Sequence, residues 1–395
     1  EGETPPDEGE TPPDEGETPP PLPPPPLPEG NLQVRWYTVP GPVILGNADS
    51  VFISAQPSLP EIGIIWSGMP VDTSVAYRVS VAYNVDITVN ILGAPRRKFR
   101  NDIDWFPSND YHATKAGTEW FIPFNTNYRG GVATVHYLIM PLGNVHTKTF
   151  IIKGTNPNPA AVNQYVNNIT AGQHGVFAYY PAMLMHESAM RQFNLPNASC
   201  YAGDYCQGMP NWGFPDGWGM AQIDLSSSGA YLTPAALWNW TVNVFMGLSV
   251  LQQKINDHNN YMAALRACYD PDFCDPADYP VTKTWTASNG VPVPYTLENS
   301  DIIKRYNGAS GSGFAGGPDM YIFGRQYPYV WHYNHTPDGC GSASEGELVE
   351  GEEEPCPCNA ETIYDRWTFY GIDTYPSGHV VDYIQGVTDK YVELQ

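Results

Sequence analysis

The 395-residue sequence predicts a multidomain protein: a disordered Pro-rich spacer, an all-β sandwich, then a mainly α-helical domain. Three observations predict this order. Residues 1–21 repeat a seven-residue unit, EGETPPD, EGETPPD, EGETPPP. From Asn31 to about residue 155, short β-branched and aromatic runs alternate with polar residues, and after GTNPNPAA the apolar spacing changes to three and four.

The spacer, 1–30, holds nine acidic residues and no basic one. Seven is also the coiled-coil period, but there are no apolar seam positions and proline excludes a helix. The segment therefore reads as an extended, polyproline-like linker to something upstream, or as a Pro-rich ligand. Either role would place the chain in a larger assembly through this spacer. The absence of an initial Met fits a processed product.

In residues 31–155, LQVRWYTV, SVFISAQ, AYRVSVAYNVDITVNIL, TEWFIPFN, GVATVHYLIM and KTFIIKG read as strands with one solvated face. Six or seven such strands predict an immunoglobulin-like sandwich, here without an inter-sheet disulfide because the segment has no cysteine. In residues 156–338, AAVNQYVNNIT, the helix at 181–194, TPAALWNWTVNVFMGLSVLQQKINDH and TLENSDIIKRYNG read as helices, the last closed by Gly308. An acidic insertion follows at 339–360, and 361–395 shows no assignable pattern.

The net charge is −23, of which the spacer and six acids at 345–354 supply most, leaving −8 elsewhere. Such a surface argues against nucleic acid or anionic lipid as partner. No run of about 18 to 20 apolar residues exists, so no membrane insertion is expected. The seven cysteines include Cys200 with Cys206 and Cys268 with Cys274, two short pairs that predict disulfides and a secreted, extracellular or periplasmic location. Sequons at Asn168, Asn197, Asn239 and Asn334 agree with secretion. No metal or cofactor site is expected: CPC at 356–358 lacks the spacing of a zinc site, and the acidic CYDPDFCDP lacks the glycine and distal glutamate of a calcium loop. GSGFAG at 311–316 follows a helix rather than a strand, so it reads as a loop, not a phosphate cradle.

The candidate catalytic group is Glu187, in MLMHESAMRQFN at 183–194. On a helix it would share a face with Met183, Leu184, Met190 and Arg191. It is then either an acid raised by an apolar setting or a surface carboxylate paired with Arg191. The order of further motifs bears on that choice. HES at 186–188, WGxxDGxGxxQID at 212–224, NVxxGxxxL at 243–251 and RYNG at 305–308 resemble the ordered motifs of the lytic transglycosylase and goose-type lysozyme superfamily. The resemblance covers roughly 180–330 and implies a lysozyme-like fold.

It implies Glu187 as catalytic acid, Ser188 orienting it, Met220 bringing backbone groups to a sugar groove, Gln222 lining that groove, and Tyr306 with Asn307 closing over the acid. The family's Leu-Met is Met220-Ala221 here, and Arg305 replaces its usual alanine. The implied substrate is peptidoglycan or a related N-acetylhexosamine polymer, cut at a β-1,4 bond. A transglycosylase would use Glu187 alone. An inverting hydrolase needs a second carboxylate roughly 6.5–9.5 Å away, for which Asp216 is the candidate and Asp224 and Asp204 the reserves. The rival expectation is a non-catalytic cell-surface or carbohydrate-binding protein that keeps the fold.

Overall fold

The computed structural model describes residues 31–91, 94–140, 143–173, 175–196, 207–213, 217–224, 232–268, 282–306 and 383–395, with short strand segments at 321–322, 325–326, 331–333 and 367–369. The spacer, the acidic insertion, every cysteine except Cys268, and the sequons at Asn197 and Asn334 lie outside these residues. So do GSGFAG and the segment DPDFCDP.

Two sheets build the first half. Strands β1 (Asn31–Tyr37), β2 (Pro42–Leu45), β4 (Ile62–Ser67) and β8 (Trp120–Phe121) make one, in the order β2-β1-β4-β8. The other runs β3 (Ser50–Ile53), β10 (Val145–Gly154), β9 (Gly131–Met140), β5 (Ser74–Ile91) and β6 (Ala94–Phe106), with β7 (His112–Lys115) also on β5. All pairings are antiparallel except β3 with β10. The alternation seen in the sequence turns Val75, Tyr77, Val79 and Val81 inward, all buried. Aromatic rings cross from sheet to sheet: Trp66 meets Tyr137 edge-on at 5.0 Å, and Tyr77 stacks on Trp120 at 5.9 Å.

Strand β6 departs from expectation. APRRKFRNDIDWF is too charged to read as a buried strand, yet it pairs along its whole length with β5. The reason is what its second face covers. Lys98, Arg100, Asp102 and Asp104 alternate along that face, and Arg100 pairs with Asp102 at 2.7 Å while donating to the Leu232 carbonyl. Asp104 pairs with Arg129. On β5, Tyr83 stands opposite Asp102 and sets its ring edge-on to Trp218 and Trp238. Lys98 and Arg100 thus lie against the second half of the chain, and pairing and carbonyl contacts satisfy the charges of this face.

Among the described residues the second half carries more helix than strand, with small β elements set between the helices. Its helices among the described residues are α1 (Pro159–Ile169), α2 (Tyr180–Ser188), α3 (Pro234–Trp238), α4 (Trp240–Cys268), α5 (Leu297–Tyr306) and α6 (Tyr383–Leu394). Between them lie a three-stranded sheet, β11 (Trp212–Gly213), β12 (Gly217–Trp218) and β13 (Ile223–Asp224), and a hairpin of β14 (Thr282–Thr286) and β15 (Pro292–Thr296). Among the described residues no helix is long and apolar enough to cross a membrane. The helix expected to run through 233–258 breaks at Asn239, whose backbone is extended (φ −130°, ψ 110°). The Asn239 side chain accepts from the Thr241 N–H at 3.0 Å and the Thr241 hydroxyl at 2.7 Å, capping α4. Asn239 is 7% exposed, so its sequon is a buried cap and not a glycan acceptor.

The two halves share one core. Trp240 donates its indole N–H to the Ala55 carbonyl at 2.8 Å, and Gly154 at the end of β10 lies against the Phe193 ring. Gly130 faces the Trp238 ring so closely that a methyl there would overlap it. Gly130→Ala should therefore cost about 1–3 kcal/mol by overpacking. Gly41→Ala, with open space around the new methyl, should be near neutral. Thermal denaturation of the two variants checks the pair.

Candidate functional site

Helix α2 begins with Pro181 in its first turn and ends at Ser188, because Ala189 and Met190 turn left-handed (φ 53° and 55°). Their N–H groups close the helix onto Met185 and Leu184 carbonyls. The expected helix to residue 194 is thus cut short, and Arg191 leaves the face of Glu187. Its N–H caps Ser188 instead, and no Glu187–Arg191 ion pair forms.

Glu187 is half-buried and, among the described residues, receives one hydrogen bond, from the Tyr383 hydroxyl at 2.7 Å. Burial pushes its carboxyl up to about 7, and the Tyr383 bond pulls the other way. Tyr383 opens α6, in the segment that the sequence left unassigned. That helix is amphipathic, with Tyr383, Ile384 and Val387 buried. It seats on α2, where Gly386 lies against the His186 ring and His186 meets Tyr383 edge-on at 4.9 Å. Asp389 clamps its far side, accepting from the Ser288 N–H at 2.7 Å and the Ser288 hydroxyl at 2.6 Å. Burial raises the Asp389 carboxyl, but these donors and Gln385 outweigh it and leave a net downward shift.

The other motif residues meet at one buried turn, 218–222. Met220 N–H donates to Gln192 Oε1 at 3.0 Å, and Ala221 N–H to Asn243 Oδ1 at 2.8 Å. The carbonyls are taken as well: Trp218 O by Asn243 Nδ2, Gly219 O by Gln222 Nε2, Met220 O by Ser188 Oγ at 2.7 Å, and Ala221 O by Tyr306 OH at 2.9 Å. Gly247 of α4 makes room for this, since a methyl there would overlap the hydroxyl of Tyr180 and the Ala221 side chain. Tyr180 donates to the Val244 carbonyl and sets its ring edge-on to Tyr306. Burial, then the Glu187 charge, raise the Tyr306 and Tyr383 phenols well above their usual range.

These bonds revise several expected roles. Ser188 ties the end of α2 to the turn and does not bond Glu187. Met220 is wholly buried with its N–H and carbonyl already used, so it does not present them to a groove. Gln222, at φ 47°, folds its amide back over Gly213 and Gly217, where a methyl would overlap it. Tyr306 braces the turn. Asp224 sits in β13 opposite Gly217. Asp216, Asn307 and Asp204 lie outside the described residues. Tyr383, among the described residues the one side chain bonded to Glu187, is not among the residues the sequence singles out; its signal is the spacing of Tyr383, Ile384, Val387 and Tyr391 for one helical face.

Because the folded-state value for Glu187 exceeds its ordinary 4.5, its stability contribution is fully present below about pH 4.5 and is lost as pH rises through about 7. Glu187→Gln should match the wild type near pH 4 and exceed it by about 3 kcal/mol at pH 8, read by denaturant unfolding at the two pH values. Tyr383→Phe removes the bond that lowers the acid, so the Glu187 titration should move further up, as followed by NMR of carboxyl-labelled glutamate.

No family model matches the chain, and no curated protein aligns with it significantly. Among solved structures it is similar in part to a family 123 glycoside hydrolase from Clostridium perfringens, described for glycolipid glycan hydrolysis. The identity is 12%, over 36% of this chain and 31% of that one, with a TM-score of 0.17. At that level the site has to be argued from its own geometry.

Proposed function

We propose that the protein is a glycosidase that cleaves peptidoglycan or a related N-acetylhexosamine polymer, with Glu187 as general acid and base. The observation that carries this reading is the half-buried Glu187, whose carboxyl burial pushes up to about 7 and which, among the described residues, accepts one bond, from the Tyr383 phenol, beside the turn where four ordered motifs meet. A carboxylic acid that keeps its proton near neutral pH can deliver it to a glycosidic oxygen as the bond breaks. The left-handed backbones of Ala189, Met190 and Gln222 gather at the same place, and such strain is concentrated at functional sites.

In this reading 31–155 is an immunoglobulin-like sandwich and 156–338 a lysozyme-like catalytic domain. The spacer 1–30 tethers both to a larger assembly, and the protein works outside the cytoplasm, in the cell envelope. Two ways complete the reaction. Either Glu187, now a base, activates the sugar's own 6-hydroxyl, or Asp216 activates water from across the ring. A second reading is favoured by one observation: Ser188, Gln222, Asn243 and Tyr306 all spend their polar groups inside the turn, which a non-catalytic carbohydrate-binding protein of the same fold would also need.

Mass spectrometry of soluble products from purified peptidoglycan separates these readings. Anhydro-muramyl ends from the wild type and none from Glu187→Gln are the expected result for a transglycosylase; reducing ends would assign a hydrolase and turn attention to Asp216. Equal products from both proteins, or none from either, would sink the enzymatic reading.

A further inference from the structure

Lys98 is used by no step above, although it is 6% exposed and stands where the halves meet. Its ammonium lies over two indoles at once, 5.0 Å from the Trp212 ring and 5.1 Å from the Trp218 ring. Those tryptophans are cross-strand partners in β11 and β12. The next pair in that ladder is Gly213 with Gly217, the seat of the Gln222 amide. We propose that Lys98 is a positioning residue: its cation–π contacts with Trp212 and Trp218 hold the β11–β13 hairpin against β6, so that the β-rich half forms a wall of the Glu187 site. The reference to that site rests on the glycosidase reading; the hold on the hairpin does not.

A desolvated cation over two aromatic faces is attracted more strongly than an exposed one. Burial also pushes the Lys98 ammonium down to about 8, so the charge that makes the contact is lost in mildly alkaline solution. The charged and titratable groups near Lys98 are these. Arg100 and Asp102 pair with each other on the same face of β6, and Asp86 pairs with Arg97 on its opposite face. The Tyr83 phenol on β5 is raised well above its usual range by burial. Asp224 stands on β13 opposite Gly217.

The test is hydrogen exchange, by mass spectrometry, of the 207–224 segment in the full chain at about pH 7 and 9.5, corrected for unfolded-chain rates. Lys98→Met should exchange about tenfold to thirtyfold faster at both pH values. The wild type should approach Lys98→Met at the higher pH, while Lys98→Arg, which keeps its charge, stays protected throughout. Wild-type protection that is unchanged across this range, or that equals Lys98→Met, overturns the proposal. A second readout is binding of an N-acetylglucosamine tetramer in the Glu187→Gln background. If affinity follows the same pattern, the wall is part of the site. If protection follows the charge but no tetramer binds, Lys98 keeps its positioning role and the glycan reading falls.

Discussion

Everything near Glu187 depends on the need to satisfy the backbone of one buried turn. Residues 218–221 present N–H groups and carbonyls where water does not reach most of them, and an unpaired group there would cost a few kcal/mol at most and about 1 at least. No strand or helix of their own supplies partners for all of these. Side chains from four places do: Ser188 from the end of α2, Gln192 from the loop beyond, Asn243 from α4 and Tyr306 from α5. Removing any one leaves a buried polar group unmatched. The turn therefore fixes the relative placement of those elements, and with them the helix that carries the acid.

This explains how four short motifs scattered over more than a hundred residues can be read together in a sequence. Ser188, Asn243, Gly247 and Tyr306 are legible as a set because one small volume needs each of them. The same reasoning separates fold from chemistry. The motif residues mostly serve the turn, whereas the acid's own partner, Tyr383, comes from outside them. Sequence patterns found the scaffold of the site more readily than its proton chemistry, since scaffold bonds impose fixed residue types while a hydrogen bond to a carboxylate can come from any nearby donor.

Elsewhere legibility followed the physics of burial. The alternating strands β5, β9 and β10 were plain because one face is apolar. Strand β6 was not, because Lys98 and Arg100 meet another part of the same chain, Asp102 and Asp104 are held by Arg100 and Arg129, and such partners are invisible to a one-dimensional pattern. The end of α2 was misjudged for a related reason: Met190 and Phe193 continue the apolar text, but tertiary contacts pull both inward after the helix has stopped. Asn239 shows the reverse, a glycan-acceptor triplet whose amide is spent as a helix cap.

The bond between Tyr383 and Glu187 joins residues 196 positions apart. A ribosome that has finished the acid's helix must still add the whole of that interval before the phenol exists. Throughout that time the acid sits without its donor and the face of α2 that receives α6 stays open. The bond is therefore made only after the turn and its braces, all encoded before residue 307, are already available. Until then the Glu187 carboxyl lacks the one bond that lowers it, so the phenol sets the acid's final protonation only after its helix and the turn beside it are in place.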